Sequence, residues 1–137
     1  MNQNATFFDD MKSMFNARYP IIYIESFEFE RVYRNIKGIA MQESYELYSW
    51  NPVNTFRKLS LDNDSFSIVG ENISDPEAVL QEIAKQEKSK EKEIFVLEGF
   101  HDFIEDKMVK VWLRKFGEDL KYAKGHKHII LLSPVLN

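Results

Sequence analysis

The run Glu93-Ile94-Phe95-Val96-Leu97-Glu98 constrains this chain more than any other stretch. Four consecutive apolar side chains stop abruptly on an acid. A run that short, with no polar side, predicts a strand buried on both faces, as strands of parallel sheets are. Three more runs have the same form. Ile21-Ile22-Tyr23-Ile24 ends at Glu25-Ser26, Glu46-Leu47-Tyr48-Ser49-Trp50 at Asn51-Pro52, and Ile129-Ile130-Leu131-Leu132 at Ser133-Pro134.

Helical spacing fills the intervals. Residues 6–18 place Phe7, Phe8, Met11, Met14 and Phe15 on one face, with Thr6 as cap, Asp9 and Asp10 in the first turn, and an end before Tyr19-Pro20. Residues 27–44 repeat the pattern through Phe29, Val32, Ile36, Ile39 and Ala40, with Ser26 as cap. Asp75-Pro76 opens a third helix whose stripe is Val79, Leu80, Ile83 and Ala84. A fourth, over 106–124, is expected to bury Met108, Val111, Trp112, Phe116, Leu120 and Ala123 and to stop at Gly125. Residues 53–74 break the alternation: Leu59/Leu61 and Phe66/Ile68 flank Asp62-Asn63-Asp64, as in a β-hairpin. That segment reads either as a loop over a site or as a surface excursion. Lys85 to Lys92 read as a solvated helix end.

Strands alternating with helices predict an α/β domain: a three-layer αβα arrangement around a mainly parallel four-stranded sheet. At 137 residues the chain suits one domain with its own core. Its 11 Phe, 6 Tyr and 2 Trp argue against disorder. A net charge of −4 argues against a nucleic-acid partner, and the absence of cysteine excludes a disulfide framework and a thiol nucleophile. No apolar run reaches the ~18 residues of a membrane span and no signal peptide opens the chain, so a cytoplasmic location without membrane contact is expected.

Ligands of open α/β sheets bind outside the carboxyl ends of the strands. The turn after the first strand is where a phosphate-cradling G-x-x-x-x-G-K-[ST] loop belongs. It reads instead Glu25-Ser26-Phe27-Glu28-Phe29-Glu30-Arg31, with no glycine, no lysine and three carboxylates. Those acids repel a triphosphate by a few kcal/mol at an effective dielectric near ~20. Arg31 reads as a phosphate ligand or, more simply, as a helix-surface arginine. Glu98 stands where a magnesium-binding acid would stand, but Gly99 follows in place of a water-positioning acid. The plainer reading of Glu98 is a strand-end carboxylate accepting helix N–H bonds. His101, Asp102, Glu105 and Asp106 read as helix-starting residues before they read as metal ligands. His126 and His128 lack a third ligand for zinc. Ser133 has no neighbouring histidine in sequence and no G-x-S-x-G context. The candidate ligand-binding residues are therefore Glu25, Ser26, Arg31, Glu98 and Ser133, with no catalytic residue and no metal site.

Three segments taken together, residues 17–32 (ARYPIIYIESFEFERV), 93–104 (EIFVLEGFHDFI) and 128–136 (HIILLSPVL), resemble the N-terminal portion of a family of AAA+ ATPases. That family is typified by a reading frame of cyanobacteria and plastids. Leu47-Tyr48-Ser49-Trp50 is similar to the family's second strand. The resemblance implies a degenerate AAA+ or P-loop-NTPase-like core without a working P-loop, with sheet order 1-4-3-2 for the four strands and no fifth. The first strand would then be an edge needing cover. It also implies a downstream AAA+ domain of the same polypeptide as partner, homo-oligomers, and ATP with magnesium in the longer protein, with no cofactor in this segment. Because the last strand has no helix after it, the chain reads as a fragment or as a domain whose next element comes from a partner. Gly99 departs from the family's frequent Asp, which weakens even a vestigial metal role. The expected function is that of a non-catalytic N-terminal domain serving an ATPase motor. The alternative is a stand-alone small-ligand or nucleotide-binding domain using Glu25, Glu98 and Ser133.

Overall fold

The computed structural model describes residues 3–134, with side chains from residue 7 onward. Its elements are α1 (Gln3–Asn16), β1 (Ile21–Glu25), α2 (Phe29–Glu43), β2 (Glu46–Asn51), β3 (Thr55–Leu59), β4 (Phe66–Ile68), α3 (Pro76–Lys85), β5 (Glu93–Glu98), α4 (Lys107–Asp119) and β6 (Lys127–Ser133). Short 3₁₀ turns follow β5 at Phe100–Asp102 and α4 at Leu120–Tyr122. Val135 and Leu136, which close the third resembling segment, lie outside the described residues.

The α/β class is as expected, and the four expected strands lie side by side in the order 1-4-3-2, as β1-β6-β5-β2, but the sheet is not four-stranded. It has six strands in the order β1-β6-β5-β2-β3-β4 and is mixed. The difference comes from residues 53–74. Their alternation does make a hairpin, β3 with β4, and β3 also pairs antiparallel with β2, so the excursion extends the sheet. β1, β6, β5 and β2 lie side by side in parallel.

Each face of the sheet carries its own core, because side chains alternate along every strand. Ile22, Ile24, Leu47, Ile94, Val96, Ile130 and Leu132 meet α1 and α2 through Met11, Phe15, Val32, Ile36 and Ile39. Tyr48, Trp50, Phe95, Leu97, Ile129 and Leu131 meet α3 and α4 through Val79, Leu80, Ile83, Val109, Leu113 and Phe116. The result is helices on both faces of one sheet.

Local chemistry sets most element boundaries. Asp75 caps α3 by accepting from the N–H groups of Glu77 and Ala78, with Pro76 at the first helical position. Asp106 caps α4 in the same way, accepting from Met108 and Val109. Three helical expectations need correction. α1 begins at Gln3, so Thr6 lies inside it and Asp9 and Asp10 are past the first turn. The cap at Asp106 phases α4 so that Val109, Leu113, Phe116 and Leu120 face inward, while Met108 and Val111 are exposed. Gly125 does not cap α4, which gives way to the 3₁₀ turn and extended backbone at Ala123. Its role is close approach: a Cβ there would overlap the Glu91 carbonyl.

His128 ties α1 and the α1–β1 turn to the sheet. It is buried, its ring packs 4.5 Å from that of Phe15, its Nδ1 lies 2.7 Å from the Tyr19 carbonyl and its Nε2 3.1 Å from the Tyr45 hydroxyl. Two fixed partners suit a neutral ring, Nδ1–H donating to Tyr19 and Nε2 accepting from Tyr45. Burial holds its pKa down to about 4, against a raising contribution from the Tyr19 carbonyl. The native state therefore binds the proton less readily than the unfolded chain. The neutral ring carries no penalty above about pH 6.5, and stability falls as pH drops from there to about 4, by about 3 kcal/mol in all. We expect urea-unfolding free energies to show this slope, and His128→Gln to show a shallower one across that window. Equal slopes would remove His128 as its source.

Candidate functional site

The carboxyl ends of β1, β2, β5 and β6 lie together along one rim of the sheet, where β1 leads into Ser26 and β5 into Gly99. Gly99 has φ +71°, the left-handed region where a side chain is strained, and it lets the chain leave β5 directly into the 3₁₀ turn. Its N–H donates to the Leu132 carbonyl and its carbonyl accepts from Asp102.

Glu98 is the hub of this rim. One carboxylate oxygen accepts from the Tyr33 hydroxyl of α2 and the other, at 3.1 Å, from the Asn51 side-chain amide at the end of β2. Its recorded donors are thus side chains of α2 and β2, in place of the helix N–H groups expected. Burial and then the Glu98 charge push the Tyr33 phenol well above its ordinary pKa, so Tyr33 remains a donor. Asn51 is itself fixed, because its Oδ1 accepts from Val53 and Asn54 N–H at 3.0 and 2.7 Å. Glu98 thus braces α2 and β2 against β5.

His101 reaches Ser133 from the 3₁₀ turn. Its Nδ1 lies 3.1 Å from Ser133 Oγ, and its Nε2 3.3 Å from the carboxylate of Asp102. Ser133 therefore has a histidine neighbour in space that its sequence context did not show. Ser26 does not cap α2 directly. Glu28 occupies the N-cap position without a side-chain cap, and Ser26 Oγ accepts from the Glu28 N–H at 3.0 Å. Arg31 pairs with Glu28 at 2.9 Å.

These residues line two neighbouring grooves rather than one pocket. The larger, about 640 Å³, runs between Ser26-Phe27, Asn51 to Asn54, Glu98-Gly99, His101 and Pro134. Phe27 and Val53, 70% and 89% exposed, form its apolar lips. The smaller, about 190 Å³, holds Glu25, Ser26, Glu28 and Arg31 against Phe7 and Ile24. Ser26 belongs to both, Glu98 to the first and Glu25 and Arg31 to the second; Ser133 meets the first groove through His101.

Tyr33 and Asn51 are the rim residues that sequence reasoning missed. The sequence signal for Asn51 was its place at the close of the second run; the register of Trp50 with Leu97 then sets it beside Glu98. Tyr33 had none, since it lies off the buried stripe of α2. Among the described residues no group of three or more histidine or acidic side chains could hold a metal ion, and no helix is long and apolar enough to cross a membrane.

Comparison with known proteins places the chain in a family. Residues 7–137 match the model of the N-terminal domain of SpoVK-like AAA ATPases. Over 118 residues the chain is 34% identical to an uncharacterised AAA domain-containing protein, ycf46, of Guillardia theta; that alignment covers 85% of this chain and 22% of the relative's length. No solved structure matches it. With nearly its whole length matched, and with the β1, β5 and β6 strand ends that carried the resemblance gathered on one rim, the chain belongs to the SpoVK-like AAA ATPase N-terminal domain family.

Proposed function

We propose that this domain is non-catalytic, binds no nucleotide, and serves an ATPase motor elsewhere in a longer polypeptide by receiving a partner or substrate segment at its strand-end rim. One observation carries the reading. At the place where a P-loop fold would hold phosphate and magnesium, the end of β1, the turn and the first turn of α2 offer Glu25, Glu28 and Glu30, and both oxygens of Glu98 are engaged by Tyr33 and Asn51. A triphosphate would meet carboxylates there instead of backbone N–H groups and a lysine. A metal would have to displace the two bonds that brace the rim. The groove's apolar lips, Phe27 and Val53 beside Pro52 and Pro134, suit a peptide segment. Against the stand-alone small-ligand alternative, Glu25 and Glu98 line different, neighbouring grooves.

Calorimetric titration with ATP and magnesium tests the proposal. We expect no saturable heat, with or without the metal, from a chain that remains folded by circular dichroism. Saturable, magnesium-dependent binding in the micromolar range would overturn it. Weakening of that binding by Glu98→Gln would then place the nucleotide at this rim.

A further inference from the structure

Glu98 is an anion held by dipoles alone. It is partly buried at the end of β5, and its recorded partners, the Tyr33 hydroxyl and the Asn51 amide, are both neutral. Among the described residues no lysine, arginine or histidine pairs with it. The neighbouring cations are engaged elsewhere. Arg31 pairs with Glu28, and His101 lies against Ser133 and Asp102. Arg57, whose charge reaches Tyr33, lays its guanidinium over the Phe66 ring, 4.5 Å from its centre. A carboxylate drawn partly out of water without a countercharge gains from a cationic donor more than from another dipole. Glu98 can also accept one. A carboxylate has about four lone-pair positions, and Tyr33 and Asn51 fill two. N–H donors can join the bonds already there, whereas magnesium demands a rigid near-octahedral shell.

This acid lines the larger groove, together with the exposed apolar lips Phe27 and Val53. Resting on the reading of the rim as a seat for a partner or substrate segment, we propose that the segment it selects is basic and apolar. A lysine or arginine side chain reaches Glu98, and the apolar residues beside it seat on Phe27 and Val53. The aliphatic stem of either cation covers the lips while its head meets the carboxylate. A neutral segment would cover Glu98 without supplying its countercharge, so the desolvation would go unreturned. An acidic segment would meet like charge at Glu98 and, across Ser26, at Glu25 and Glu28 of the neighbouring groove. The groove therefore ranks segments by charge, basic above neutral above acidic, as well as by apolar content.

Fluorescence anisotropy with three labelled peptides tests this. The peptides share one leucine-rich frame and differ at a single central residue: lysine, glutamine or glutamate. The wild-type chain is expected to bind the lysine peptide about tenfold more tightly than the glutamine peptide, the glutamate peptide more weakly still, and the preference should narrow as salt is added. Glu98→Gln keeps an oxygen to accept from one neighbour and should bind the lysine and glutamine peptides alike. Val53→Ser trims an apolar lip and should weaken all three together. If Glu98→Gln does not fold, the Asn51 side-chain amide of the wild type decides, because it donates to Glu98. Its NMR signal should shift with the lysine peptide and much less with the glutamine peptide. Equal binding of the lysine and glutamine peptides, a preference that survives Glu98→Gln, or equal shifts of the Asn51 amide would each overturn this inference and leave the groove as a seat for a segment. Failure of every peptide to bind would overturn both.

Discussion

Replacing Glu93 with leucine is expected to lower the unfolding free energy by about 3–5 kcal/mol, among the largest losses available to a single polar substitution here. Glu93 opens β5 and Lys127 opens β6, and the two are register partners. Their side chains are 2% and 0% exposed, and the ammonium sits 2.7 Å from the carboxylate. Lys127 also donates to the Glu91 carbonyl at 2.5 Å and lies 3.4 Å from Ser89 Oγ, so its three protons have three acceptors. The carboxylate acts beyond its partner, for after burial it is the Glu93 charge that raises the pKa of the neighbouring Tyr48. Removing Glu93 alone leaves a desolvated ammonium with only neutral partners. Removing both charges leaves an apolar contact at a strand start. Glu93→Leu/Lys127→Met is therefore expected to recover most of the stability that Glu93→Leu loses. Urea-unfolding curves for the wild type, both single variants and the double variant measure the coupling. A Glu93→Leu loss within experimental error, or losses that simply add in the double variant, would show that the pair is not coupled through its charges.

That pair also marks where the sequence ceased to be legible. The four strands, the α3 cap and the 53–74 hairpin were readable because each is set by local rules: an unbroken apolar run, Asp-Pro at a helix start, alternation around Asp62-Asn63-Asp64. Glu93 and Lys127 are far apart in sequence, and Glu93 abuts a run of charges that reads as solvent-facing. Only strand pairing brings the two together under cover. The sheet itself was underestimated for a related reason. The hairpin was visible, but its pairing with β2 is a tertiary choice. The same applies to α4, whose stripe shifted once its cap at Asp106 fixed the helix phase, and to Gly125, where proximity to Glu91 mattered and local conformation did not.

The site follows this division. Glu98 and Ser133 were legible as strand ends, because a polar residue that closes a buried run must lie at the rim. Their partners were not. Tyr33 comes from a helix face, and His101 reaches Ser133 through a turn that depends on Gly99. An acid that in sequence stands where a magnesium-binding residue could stand is, in the fold, bonded to side chains of α2 and β2 and so braces them against β5.

Trp50 links that brace to the opposite face of the sheet, and Trp50→Ala is expected to cost about 3–5 kcal/mol. The indole is fully buried, packs edge-on against Phe100 and Phe103, and donates its N–H to the Ile73 carbonyl at 2.8 Å. One side chain therefore holds the 3₁₀ turn that carries His101 and the irregular segment before α3. Trp50→Phe separates the two roles. It keeps an aromatic ring but leaves the buried Ile73 carbonyl without its donor, at about 1–3 kcal/mol. Trp50 also precedes Asn51, whose amide holds Glu98, so loosening the end of β2 should loosen the rim as well. We expect amide exchange at Val53 and Asn54, whose N–H groups bond to Asn51, to quicken in Trp50→Phe more than exchange at Ile130 in the sheet centre. Uniform quickening would mean that Trp50 supports only global stability. Selective quickening would show that the groove's shape is set from the far side of the sheet.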